Sequence, residues 1–229
     1  MAFERIKGSQ WFPHVKDSHC FVYGCGGIGS WVALNLARIG CSLSLYDMDE
    51  YDQTNLTGQF TNYSSIGKNK AVALKETLEQ FCEDVSIDTF GEVTEDSEDH
   101  HIIFSCFDNM KARKIAFDKW FNFIKNNPEI REEAIFIDGR LTPNNYEIFV
   151  IKADLDQINR YAQEHLFDDS EVEELDCTDK QSTFMACRIA SDMVSQYVNH
   201  RTVIGTGKKL AKTDKHISYI RISNNTIKQ

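Results

Sequence analysis

Three glycines, Gly24, Gly26 and Gly29, follow directly on a short apolar run over residues 20–23, in the order G-x-G-x-x-G. That order suits the binding of an anion. The first glycine permits a tight bend, the second lets the backbone approach a phosphate, and the third lets a helix pack closely on a strand. The free N–H groups and positive dipole end of the helix that follows then face the negative charge. Asp47 stands about 20 residues further on, where a carboxylate accepts hydrogen bonds from ribose hydroxyls. These residues point to a nucleotide site, and the plain alternative is a glycine turn with no ligand.

Other polar groups with chemical capacity come later. Asn55 and Gln59 lie in N-L-T-G-Q, Lys70 in G-K-N-K, and Asp108 and Asn109 in C-F-D-N, with Arg113 one helical turn beyond. Taken singly, each has an ordinary role: Asn55 and Gln59 as loop residues, Lys70 on a solvated helix face, Asp108 as a helix N-cap. Cys177 stands in the polar stretch E-L-D-C-T-D-K, just before a predicted helix. A helix N-terminus would lower its thiol pKa and make it a nucleophile, while Asp176 and Asp179 act the other way. A catalytic and a structural role both stand for it. Cys20, Cys41, Cys106 and Cys187 read as small core residues, and Cys25 acts through its backbone.

The elements that must carry these groups alternate between strand and helix in the first half. Strands are predicted at 20–23, 41–46, 85–90 and 101–106, and helices after Gly29, at 65–81 with Ala71, Leu74 and Leu78 inward, and at 110–125 with Ala112, Ala116, Trp120 and Phe123 inward. Residues 48–64 are polar and loop-like. Strands at 134–138 and 147–151 join through a hairpin turn at Pro143, Asn144 and Asn145. A helix at 155–167, an acidic stretch at 168–176, a helix at 183–200, a cationic loop at 201–215 and an edge strand at 216–223 complete the chain. The fold class is α/β: a doubly wound, Rossmann-like, mostly parallel sheet with an antiparallel C-terminal portion.

With 229 residues and 41% hydrophobic content, the chain suits a single compact domain spanning 1–229. A net charge of −10 disfavours a nucleic-acid partner. Seven cysteines without a C-x-x-C argue against structural zinc and against a disulfide framework, and suit a reducing compartment. No apolar leader and no run long enough to span a membrane occurs, so a cytoplasmic protein with no membrane partner is expected.

The ordered motifs G-x-G-G-x-G-S, D-x-D, N-L-x-x-Q, G-x-x-K and D-N-x-x-x-R resemble the ubiquitin-activating-enzyme superfamily in its small ThiF/MoeB/HesA form. The resemblance covers about residues 20–151, an adenylation core, and leaves 152–229 as C-terminal helices, loop and edge strand. It implies a homodimeric adenylyltransferase that uses ATP and Mg2+ to activate the C-terminal carboxylate of a small ubiquitin-like or sulfur-carrier protein. Carried over, Gly24, Gly26, Gly27 and Gly29 would line the phosphates and Asp47 would hold the ribose. Asn55, Gln59, Lys70 and Asn109 would face the nucleotide, Asp108 would hold magnesium, and Cys177 would accept the acyl group. This chain has Gly58 where the family has an arginine before the glutamine. Arg140, after the next strand, would supply the missing cation or instead pair with Asp138, and Arg5 of a dimer mate is a further source. An NAD-dependent oxidoreductase shares the glycine turn and Asp47 but has no use for Lys70 and Asp108. An inactive binding protein on the same fold is the third reading.

Overall fold

The computed structural model describes residues 3–141, 145–167, 183–208 and 220–223. The first strand, β1 (His19–Tyr23), runs into the glycine turn and then into α2 (Gly27–Arg38), after a short α1 (Phe12–Val15). β2 (Ser42–Tyr46), α3 (Lys70–Phe81), β3 (Ile87–Phe90), β4 (Ile102–Ser105), α4 (Met110–Asn126), β5 (Ile135–Leu141), β6 (Tyr146–Lys152), α5 (Leu155–Glu164), α6 (Thr183–Thr206) and β7 (Ile220–Ser223) follow. They build one seven-stranded sheet in the order β3-β2-β1-β4-β5-β6-β7. The first five strands are mutually parallel, and β6 and β7 are added antiparallel. The expected doubly wound sheet with an antiparallel C-terminal portion is therefore what forms.

The central strands are buried almost without a break, as a sheet covered on both faces requires, and successive side chains point to opposite layers. Cys20, Val22, Ile102, Phe104, Ile135 and Ile137 face the layer of α1, α2, α3 and α6. Phe21, Tyr23, Ile103 and Phe136 face α4 and α5 through Phe117, Trp120 and Tyr161. α6 lies so close to β5 that a Cβ at Gly139 would sit 3.0 Å from the Met193 methyl carbon.

Three helix boundaries differ from the sequence reading by more than a residue, and β5 runs on to Leu141 instead of 138. The helix expected at 65–81 begins at Lys70, because Gly67 takes a φ of +77° and Asn69 caps the helix by accepting from the Val72 N–H. The helix expected to end at His200 continues to Thr206. There the hydroxyls of Thr202 and Thr206 bond back to Val198 and Thr202 carbonyls, and Gly207, at φ +69°, closes the helix. α5 stops at Glu164 instead of 167. On α4 the buried stripe is Arg113, Ala116, Phe117, Trp120 and Ile124, and Ala112 and Phe123 are only partly covered. Pro143, Asn144, the acidic stretch 168–176 and the remainder of the cationic loop lie outside the described residues.

At the amino ends of the strands, imidazoles are packed among aromatic rings. His100 stacks on Phe21 with centroids 4.2 Å apart, and its Nδ1 accepts from the Ile102 N–H at 3.1 Å. Burial lowers the pKa of His100 to about 3 and of His101 and His200 to about 4, with the charge of Arg201 adding to the shifts of His101 and His200 and that of Lys152 to the shift of His200. The neutral ring is the stabilising form. Its contribution is full above the ordinary value near 6.5 and is lost as pH falls through 4 and then 3. Unfolding free energy should therefore fall as pH drops from 6.5 to 4, by up to about 1.4 kcal/mol per pH unit for His100 and for His200 and by less for the more exposed His101. His100→Gln should flatten that profile by about one proton, and an unchanged slope would remove His100 from the account.

Candidate nucleotide-binding site

The strand order reverses direction between β1 and β4, and in such sheets ligands bind in the crevice at the carboxyl ends beside this point. Gly24 occupies it. With φ +88°, it turns the chain out of β1, and a Cβ there would sit 2.9 Å from the Cys106 carbonyl oxygen at the end of β4. Gly29 is equally constrained, since a Cβ would collide with the Gly24 carbonyl. Gly26 differs: the nearest atom to its missing Cβ is Gln59 Nε2, at 3.9 Å. The turn is tight beneath Gly24 and Gly29 and open above Gly26, as a phosphate cradle requires, and Gly27 begins α2 beside it.

Asp47 fixes this turn from the end of β2. Its Oδ2 accepts from the Cys25 N–H at 2.7 Å and its Oδ1 from the Asp49 N–H at 2.9 Å. Burial raises the Asp47 pKa, opposed by these two N–H groups and by the charge of Lys70. Cys25 acts through its backbone, as its sequence position suggests, and burial raises its thiol pKa. Lys70, at the first position of α3, reaches Asp49 Oδ2 at 3.0 Å, and its side chain is 12% exposed.

The 53–57 turn and the residues after it close a third side. Asn55 Oδ1 accepts from the Asp52 N–H at 3.0 Å, completing a capping box, so that oxygen serves the turn itself. Gly58 is buried, and its carbonyl accepts from Trp31 Nε1 at 3.2 Å. The Phe60 N–H donates to Ser30 Oγ at 2.9 Å. Together Trp31 and Ser30 hold Gln59 against the glycine turn, with its Oε1 buried and without a hydrogen-bond partner among the described residues.

On the other flank, Asp108 is exposed at the end of β4, and Asn109 caps α4 by accepting from the Ala112 N–H at 2.8 Å. The cap is therefore Asn109, whereas the sequence reading offers Asp108. Arg113 is buried one turn later and donates to both the Phe107 carbonyl and Asp138. Asp138, wholly buried, also accepts from Arg140 Nε at 2.8 Å and from the Tyr161 hydroxyl at 2.9 Å. Burial pushes the Asp138 pKa up, but Arg113, Arg140 and Tyr161 together outweigh it and hold the carboxyl below its usual range.

Arg140 lies within β5, not after it. It also donates to the His165 carbonyl at 2.7 Å and rests over the Phe149 ring. The ion pair with Asp138 that the sequence leaves open is thus formed. Cys177 lies outside the described residues. The sequence reading misses Trp31, Ser30 and Tyr51 as supports of the turn. Tyr51 shares its polar surroundings after Asp47 with two other aromatics, Phe60 and Tyr63, so no sequence signal separates it from them.

A sheet with this reversal and an open anion cradle at it defines a Rossmann-like α/β domain built to take a phosphorylated ligand. The chain belongs to the ThiF family, which it matches over residues 1–222. It is 29% identical over 140 residues to the adenylyltransferase and sulfurtransferase MOCS3 of Drosophila sechellia, covering 58% of this chain and 30% of that one. It is 30% identical over 131 residues to ubiquitin-like modifier-activating enzyme 5 of Caenorhabditis briggsae, covering 49% and 30%. The chain thus spans less than a third of these curated relatives. E. coli MccB crystallised with ATP shares the fold, with a TM-score of 0.63 at 16% identity over 96% of this chain and 64% of that one.

Removing Asp138 should be costly, because Arg113 would be left charged and buried. Asp138→Ala should lower unfolding stability by about 3–5 kcal/mol, measured by urea denaturation. A loss under about 1 kcal/mol, the size of an exposed pair, would show that the buried pair does little to hold the fold.

Proposed function

We propose that the chain adenylates the C-terminal carboxylate of a small ubiquitin-like or sulfur-carrier protein. The observation that carries this reading is the open cradle at Gly26, with its Cys25 peptide clamped by Asp47, on a ThiF-family fold. The names of MOCS3 and of the modifier-activating enzyme support the choice of reaction. A carrier carboxylate oxygen attacks the α-phosphorus of ATP, an acyl–phosphate bond forms, and the bond to departing pyrophosphate breaks. Charge grows on phosphoryl oxygens and on the leaving group, so fixed cations and N–H donors matter more than an acid–base pair.

In this reading the N–H groups at Gly26 and Gly27 receive the phosphates, Asp47 accepts from the ribose, and Lys70 exchanges Asp49 for phosphate oxygens. Asn55, Gln59 and Asn109 line the nucleotide. Magnesium, when bound, would neutralise triphosphate charge, and Asp108 is the exposed carboxylate that would hold it. Arg140 acts from within the Asp138 network, and a homodimer could add Arg5 of a second copy. Cys177 would accept the acyl group after adenylation, so Cys177→Ala should keep pyrophosphate exchange and lose any thioester-linked carrier, read on non-reducing gels.

Two measurements test the reading. ATP with magnesium should raise the melting temperature, because a ligand selective for the native state stabilises it. Stabilisation by NADH and not by ATP would favour an oxidoreductase instead. Asp108→Asn should leave the melting temperature of the free protein unchanged and abolish magnesium-dependent exchange of pyrophosphate into ATP with a candidate carrier. Undiminished exchange would remove Asp108 from the metal site.

A further inference from the structure

Tyr51 is bound to both halves of the candidate phosphate site. Its hydroxyl donates to the Cys25 carbonyl at 3.2 Å, and the residue is 2% exposed. Its backbone belongs to the other half. The Tyr51 N–H donates to the Lys68 carbonyl at 3.0 Å, and its carbonyl accepts from the Gly67 N–H at 2.8 Å. Gly67 and Lys68 lead directly into Asn69, the cap of α3, and Lys70. The side-chain amide of Asn69 donates to the Asp47 carbonyl at 2.8 Å, and the Lys70 N–H donates to the Asp49 carbonyl at 2.8 Å.

The geometry of one peptide shows what the hydroxyl does. A trans peptide directs its C=O and the next N–H to opposite sides. With the Cys25 carbonyl drawn inward to the buried Tyr51 hydroxyl, the Gly26 N–H is aimed outward, over the face that the missing Cβ leaves open. Asp47 holds the Cys25 N–H at the same time. A backbone carbonyl can accept from water, but this one meets the hydroxyl of a buried ring, its hydrogen-bond donor among the described residues.

We infer that Tyr51 is a positioning residue for the phosphate chain of the bound nucleotide: it aims the Gly26 N–H outward and sets its separation from Lys70. This rests on the reading of the site as a nucleotide site. The ligand chemistry concerned is the polyphosphate, not the nucleoside, because Tyr51 acts on the glycine turn and on the segment leading to Lys70.

Tyr51→Phe keeps the ring and removes only the hydroxyl. Calorimetric titration with ATP and with adenosine should show ATP affinity reduced about tenfold, the factor that 1.4 kcal/mol sets, and adenosine affinity unchanged. In a Lys70→Ala background the same substitution should change ATP affinity less than about threefold, since alignment with an absent ammonium has no value. An equal loss for ATP and adenosine would mean a general loosening of the turn and would overturn the proposal, as would no loss for ATP. An undiminished tenfold loss without Lys70 would overturn the coupling to that residue. A wild-type protein that binds neither ligand would overturn the nucleotide reading itself, whereas wild-type binding of ATP with an indifferent variant would overturn Tyr51 alone.

Discussion

The carboxylate of Asp47 and the N–H of Cys25, 2.7 Å apart, join the end of β2 to the turn that leaves β1. That turn is energetically awkward. It needs a left-handed residue at Gly24 and close contact of its own backbone with the end of β4, and it leaves several amide groups without helical partners. A half-buried carboxylate gains from donors of its own there, because desolvation opposes its charge. Each group answers the need of the other. The remaining supports, from Trp31, Ser30 and Tyr51, hold the same turn from its other sides.

A second centre of order lies across the crevice. Arg113 reaches from α4 to the Phe107 carbonyl and to Asp138, and Arg140 and Tyr161 complete the shell around that aspartate. Four elements, β4, α4, β5 and α5, are thereby tied to one buried charge. Such an arrangement is demanding, since a buried charge must have every partner in place. It fixes the backbone just before Asp108 while leaving the Asp108 carboxylate itself exposed. The site thus combines backbone fixed on both flanks with charged side chains at its edge, Asp108 exposed and Lys70 paired with Asp49.

Much of this was legible in the amino-acid order because it depends on local rules. The strand–glycine–helix succession, the short apolar strands of the parallel sheet and the antiparallel pair β5–β6 all follow from residue types within a few positions of one another. The departures have identifiable physical causes. The start of α3 was misplaced because Gly67 and the Asn69 cap outweigh the helical spacing of the residues before them. The end of α6 was misplaced because the residue that closes it, Gly207 at φ +69°, lies beyond Arg201, where the loop was expected to begin. Within the site, the glycines and Asp47 announced themselves through spacing, whereas Tyr51 and the Asp138 network did not. Their partners are brought together only by tertiary packing, and the hydroxyl of Tyr51 meets Cys25 across 26 positions of sequence.

The indole of Trp31 adds one consequence. Its N–H is held by the carbonyl of Gly58, beside the residue that packs on the glycine turn, and its ring lies 5.2 Å from Phe60. Indole emission depends on that hydrogen bond and on local polarity, so the protein carries an optical gauge at the edge of its own cradle. The other two tryptophans sit elsewhere, Trp120 sealed in the opposite face of the sheet and Trp11 near the amino terminus. A movement of the 55–60 segment would therefore be written into the colour of a single ring, with no label attached.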